Sequence, residues 1–167
     1  MIHRPELLDA LEKAPSGPRE ITAWRHMFGR HPPDQENTRG ARWNPAEVAA
    51  IYLSLARHGA IAEGDHAISA QPLRPRASRF VYAVDLSLVS VLDLSDPLDL
   101  SRTGLTDDDL AGDDHTACQE VGAAVDWLEH DGLLVPSARS DALTLVILPA
   151  HRPPEALFAF GAGEVIA

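Results

Sequence analysis

Arg39-Gly-Ala-Arg-Trp-Asn-Pro-Ala-Glu-Val-Ala-Ala-Ile-Tyr-Leu-Ser-Leu-Ala-Arg-His-Gly-Ala-Ile-Ala-Glu63 is the stretch around which the chain is organised. Gly40, Asn44 and Pro45 make its first third a turn-rich loop, and Arg42 lies in it. Ala49 to Leu53 is a brief apolar run that reads as a buried strand, with Tyr52 near its end. Ser54 stands where a helix N-cap belongs, because its hydroxyl can accept an otherwise unpaired backbone N–H. The helix so begun would run to about Ala70, stopped by Pro72 and Pro75, and Glu63 lies inside it. Loop, strand and helix therefore offer a cation, an aromatic ring and a carboxylate. That set suits a ligand with a phosphate, a flat cationic ring and a sugar.

Outward from this stretch the elements are irregular. Pro5 to Lys13 reads as a short helix with Leu7, Leu8 and Leu11 on one stripe, ended by Pro15. Ile21 to Phe28, carrying Trp24 and Arg25, is β-branched and aromatic enough for a strand, and Gly29 to Ala41 is a loop. Arg79 to Leu86 and Val89 to Leu94 read as two strands. Ser95 to Asp114 is an acidic, turn-prone excursion, and its run Thr106 to Asp114 lacks the ligand spacing of an EF-hand loop. Thr116 to Glu129 has helical spacing. Gly132 to Val135 and Ala142 to Leu148 are strand-like around a loop from Pro136 to Asp141, and the Pro-rich final stretch has no assigned structure. Strands and helices do not alternate regularly, and no Gly-rich dinucleotide fingerprint or phosphate loop follows any strand, so an α+β fold is expected rather than a doubly wound sheet.

Bulk composition narrows the function classes. A chain of 167 residues is long enough for one domain with a real core. A net charge of -11 repels phosphate backbones, so general nucleic-acid binding is not expected, and an anionic ligand needs arginines that reverse the field locally. A single cysteine, Cys118, rules out an internal disulfide and fits a reducing compartment. The N-terminus lacks a signal-peptide pattern and no apolar run approaches a membrane span, so a cytoplasmic protein without membrane contact is expected.

The chemistry of Arg42, Tyr52 and Glu63 can be worked through with NAD as the test ligand. Its bond to nicotinamide is N-glycosidic, and the leaving group departs neutral, so no general acid is needed and one carboxylate suffices. Ordinary glycosidases need two because their leaving oxygen must be protonated. Glu63 would hold a ribose hydroxyl and stabilise positive charge building on the sugar. Tyr52 can stack on the nicotinamide, and Arg42 can pair with phosphate. Ordinary readings exist for each: a solvated turn arginine, a core tyrosine with its hydroxyl at the rim, an exposed helical glutamate. Ser137, with Arg139 two residues on, can either bind phosphate or serve as a turn residue. No Gly-x-Ser-x-Gly elbow surrounds it, and none of the eight histidines stands out. His115 and Cys118 are spaced like metal ligands, but no second pair completes a site, so no metal is expected.

The motifs Gly40-Ala-Arg-Trp-Asn-Pro45, Ile51-Tyr-Leu-Ser54 and Ala60-Ile-Ala-Glu63, then Asp131-Gly-Leu-Leu-Val-Pro-Ser-Ala-Arg139, resemble the RES-domain family, with Trp24-Arg25 where that family has its first arginine. The resemblance runs from about residue 20 to 150 within a single domain spanning 1–167. It departs at Ala46-Glu47-Val48, where the family often has a further Pro or Gly turn. It implies an ADP-ribosyltransferase-like split β core with surrounding helices, and a toxin of a type II toxin–antitoxin pair that destroys NAD by hydrolysis or phosphorolysis. Alternatives are transfer of ADP-ribose to a specific protein and, in another class, a non-catalytic NAD- or partner-binding module. By motif, Glu63, Arg42 and Tyr52 would be catalytic, while Arg25, Arg42, Trp43, Tyr52, Ser137 and Arg139 would bind NAD, with no metal. The implied partner is an antitoxin with a helix-turn-helix DNA-binding region that blocks the NAD pocket.

Overall fold

The computed structural model describes residues 2–166. Helix α1 (Pro5–Lys13) starts on Pro5, whose missing N–H costs nothing in the first turn, and buries Leu7, Ala10 and Leu11. Two long strands follow the same path in opposite directions. β1 (Ser16–Phe28) and β3 (Arg79–Asp93) pair antiparallel from Ser16 opposite Leu92 to Phe28 opposite Arg79. Their register shifts once, between Gly17 and Arg19, where Pro18 has no N–H to give the ladder.

The remaining strands close a ring on this pair. β2 (Ile51–Ser54), β5 (Leu143–Ile147) and β4 (Gly132–Pro136) run in that order from β1 round to the far end of β3. Among the described residues only β3 and β4 are parallel, and the crossover between them carries α3 (Pro97–Arg102), α4 (Asp107–Ala111) and α5 (Thr116–Trp127). β6 (Phe158–Phe160) and β7 (Glu164–Ile166) lie antiparallel along β3 and give structure to the stretch left unassigned above. Helix α2 (Arg57–Ser69) lies between β2 and β3 in sequence. The fold is the α+β class expected, with a β core that is split, as described below.

Strand alternation sorts the core into two layers. Leu133, Val135, Val146 and Leu148 face α1 and α5, with Leu7, Leu11, Val121 and Val125. Leu134, Leu145 and Ile147 point the other way, into the ring, and meet Ala23, Val84 and Leu86.

Three readings of the sequence are corrected. The two strands expected over Arg79 to Leu86 and Val89 to Leu94 are one strand ending at Asp93, because β1 runs alongside it and the burial alternation continues through Leu88. Ser54 is not a helix cap. It is the last residue of β2, paired with Thr144 and Trp24, and α2 begins at Arg57 behind Ala56, which makes no side-chain cap. The acidic excursion is not merely a loop. Asp96 caps α3 by accepting from Leu98 N, and Thr106 with Asp109 forms a capping box that starts α4.

Candidate active site

The site exists because two strands part company. β1 and β2 meet at a single bridge, Trp24 opposite Ser54. Extending that register would set His26 opposite Tyr52, but beyond the bridge the strands diverge. A cleft of about 960 Å³ opens in the fork, bordered by β1, β2, α2, the 31–43 loop and the β4–β5 loop.

Arg25 holds one side of the fork in shape. Its Nη1 donates to the carbonyls of Pro33 and Gln35, both at 2.6 Å, which folds the loop after β1 back over the strand. Burial lowers its pKa to about 10, against a raising effect of Asp34, so it remains a cation at neutral pH. The 37–48 loop is fixed next. Asn37 Oδ1 accepts from the backbone N–H groups of Arg39 and Gly40, and Gly40 takes a φ of +93° that a side chain would strain. Tyr52 then pins the motif: its hydroxyl accepts from Trp43 N at 3.0 Å and donates to Asn44 Oδ1 at 2.6 Å, while Asn44 Nδ2 donates to Val48 O. Burial pushes the phenol pKa far up, which the two backbone neighbours only partly offset, so the hydroxyl stays protonated. Tyr52 was singled out for its ring, but its hydroxyl carries the loop.

Arg42, held out by this loop, donates through Nη1 to the carbonyls of Asp109 at 3.1 Å and Gly112 at 2.9 Å. The acidic excursion is thus attached to the cleft by its backbone. Trp43 reaches the cleft wall but is 2% exposed and belongs to the helix-side core.

The opposite wall is α2. Glu63 is exposed there and accepts from Ser137 Oγ at 3.3 Å. The same oxygen accepts from Arg139 N at 3.0 Å, so Ser137 couples the carboxylate to the β4–β5 loop. Arg25, Arg42, Trp43, Tyr52, Glu63 and Arg139 all border one cleft, and Ser137 adjoins it through Glu63.

Three features of the site rest on contacts between distant segments. Gly64 lets α2 lie directly on the ring of His26, since a Cβ there would stand 2.4 Å from His26 Cδ2. His26 Nε2 accepts from Arg79 Nε at 3.0 Å, and Arg79 pairs with Asp65 on α2. Burial first, then Arg79, lowers the His26 pKa, while Asp65 raises it. His115, immediately before α5, also borders the cleft. Burial, Arg42 and Arg139 lower its pKa, and Asp113 and Asp114 oppose them. In the sequence His115 was singled out only for its spacing from Cys118, which lies in the helix-side core and not in the cleft wall.

The arrangement sets a carboxylate on one wall of a large cleft that several arginines also line. It can hold an anionic ligand and stabilise positive charge near Glu63. Among the described residues no group of three or more His, Cys, Asp or Glu could hold a metal ion, and no helix is long and apolar enough to cross a membrane.

Comparison with known proteins gives consistent matches. The RES domain family model matches residues 15–161. The NAD(+) phosphorylase MbcT of Mycobacterium tuberculosis (strain H37Rv) is 32% identical over 120 residues, covering 69% of this chain and 64% of that relative's length. The probable NAD(+) phosphorylase Rv3189 of the same organism is 30% identical over 158 residues, covering 89% of this chain and 74% of that protein. Among solved structures, the crystal structure of the M. tuberculosis MbcT–MbcA toxin–antitoxin complex superposes with a TM-score of 0.84 at 26% identity, covering 98% of this chain and 93% of the matched one.

Proposed function

We propose a function for this chain, which belongs to the RES domain family. It cleaves the bond between nicotinamide and ribose in NAD, with phosphate as acceptor, and serves as the toxin of a toxin–antitoxin pair. The observation that carries this reading is the forked cleft, where Glu63, tied through Ser137, borders the same space as Arg42 and Arg139. The names of the relatives support the substrate and acceptor, and the matched toxin–antitoxin complex supports an antitoxin partner.

In this mechanism Glu63 accepts a hydrogen bond from a hydroxyl of the nicotinamide ribose and stabilises positive charge as the C–N bond lengthens. The bonding pair goes to the nicotinamide nitrogen, which leaves neutral. An oxygen of phosphate then bonds to the anomeric carbon, giving ADP-ribose with a phosphate there. Tyr52 lies against the nicotinamide side, and the arginines neutralise phosphate charge. The antitoxin carries a helix-turn-helix DNA-binding region and covers the mouth of the cleft, which keeps the cell's NAD safe until it is removed.

The test follows NAD and its products by phosphorus NMR, with and without inorganic phosphate. The expected result is phosphate-dependent loss of NAD, with Glu63→Ala slower by about two to three orders of magnitude, the scale for losing one stabilising group. Free ADP-ribose formed equally well without phosphate would replace phosphorolysis by hydrolysis. Undiminished turnover by the Glu63→Ala variant would refute the role of the carboxylate.

A further inference from the structure

His115 borders the cleft, and neither the motifs nor the proposed reaction gives it a part. It stands just before α5, and the nearby charges acting on its ring come from three segments: Arg42 from the loop before β2, Arg139 from the β4–β5 loop, and Asp113 and Asp114 from its own approach to α5. The carboxylates are differently placed for answering an anion: Asp114 Oδ1 already accepts from Thr116 N at 3.0 Å. Among the described residues, the side chains of His115 and Arg139 make no hydrogen bond or ion pair within the chain, although both border the cleft. Arg25 differs, since its guanidinium is engaged with the Pro33 and Gln35 carbonyls. Arg42 commits Nη1 to carbonyls and has further donors on the guanidinium.

We propose that Arg42, His115 and Arg139 form a seat for a phosphoryl group, and that the His115 imidazole takes up a proton as the anion arrives. Burial disfavours a charged ring first, and the two arginines add to it against Asp113 and Asp114, so without an anion the imidazole is held toward its neutral form. An anion placed among the three reverses that field, and the protonated ring then adds a charge-assisted hydrogen bond. In a chain of net charge -11, such a local reversal is what a phosphoryl ligand needs. The chemistry is common to inorganic phosphate and to the pyrophosphate of a dinucleotide. The identification of either as the natural occupant rests on the NAD reading above, but the seat itself does not.

The experiment is a histidine NMR titration of the intact chain, with the His115 resonances assigned from a His115→Gln variant. Its arms are inorganic phosphate, ADP, and sodium chloride at matched ionic strength. The expected result is a rise of about one unit in the His115 pKa with phosphate, with ADP or with both, equivalent to about tenfold tighter binding of the anion by the protonated ring. Chloride should leave it within a few tenths of a unit. Response to phosphate alone identifies the acceptor seat, and response to ADP alone a pyrophosphate seat. No response to either beyond that of chloride overturns the proposal. The readout needs no turnover, so it separates two failures. A His115 that responds in a protein that spares NAD keeps the seat and removes the reaction; a silent His115 in a protein that consumes NAD does the reverse.

Discussion

Replacing Gly64 by alanine tests whether the position of α2 sets activity. The added Cβ would stand 2.4, 2.5 and 2.6 Å from Cδ2, Cγ and Nε2 of His26. The ring cannot simply swing away, because Nε2 holds Arg79 and the ring meets Phe28 edge-on with centroids 4.7 Å apart. Ordinary carbon contacts begin near 3.5 Å, so α2 must retreat from β1 by about 1 Å. Glu63, the preceding residue, goes with it. Overpacking of this kind costs about 1–3 kcal/mol, and alanine in place of glycine within a helix returns about 1 kcal/mol, so the net loss of stability is about 0–2 kcal/mol. A misplacement of about an ångström in a catalytic group costs about a hundredfold in rate. The expected signature is therefore a rate of NAD loss lowered about a hundredfold in a protein whose urea midpoint moves little. Adding His26→Ala to the same variant should recover part of the rate by making room. A Gly64→Ala protein with a rate within threefold of the parent would refute the reasoning.

Other expectations follow from the same geometry. Gly122→Ala should be far worse for folding than Gly64→Ala, because its Cβ would lie 1.6 Å from the backbone oxygen of Trp43 and nothing there can rotate away; little soluble protein, or a large drop in Tm, is expected. Tyr52→Phe removes the oxygen that Trp43 N and Asn44 Oδ1 share, and should cost about 1–3 kcal/mol in denaturant unfolding, with a looser Arg42 loop seen as faster proteolysis. Stability should fall as pH drops below about 6.5. His26, His115 and His130 all have pKa values lowered from 6.5, with burial the first cause in each, so the unfolded chain binds more protons than the folded one in that range. Their contribution is complete above the unfolded value and is lost as pH falls through the folded ones; a urea midpoint that rises from neutral pH toward pH 5 would contradict this.

The residues proposed for the cleft were legible because each belongs to a local pattern. Arg42 sits in a Gly/Asn/Pro loop, Tyr52 in an apolar strand and Glu63 in a helix, and these patterns survive in the fold. What hid from the sequence depends on distant partners. Ser54 reads as a cap by local propensity, but pairing with Thr144 and Trp24 keeps it in a strand. Gly64 looks like a weak point in a helix until His26, 38 residues earlier in the chain, is laid against it. His115 gains meaning only when Arg42 and Arg139 arrive from other segments. The acidic excursion is the exception: Thr106 and Asp109 carry a local capping signature that starts α4 without any distant partner.

The lone bridge between Trp24 and Ser54 has a dynamic consequence. A strand ring whose other neighbours are joined by ladders of three or more residue pairs, and one junction by a single pair, has a built-in clasp. Undoing the clasp breaks little, so it can open and reclose far more often than the whole fold melts. The amide-exchange hierarchy should start at this junction and end in the long β1–β3 ladder. Breathing of the clasp would part β1 from β2 at the closed end of the cleft and loosen the ring-side layer around Ala23 and Leu53, while the helix-side layer stays intact, so a bulky dinucleotide could enter without global unfolding.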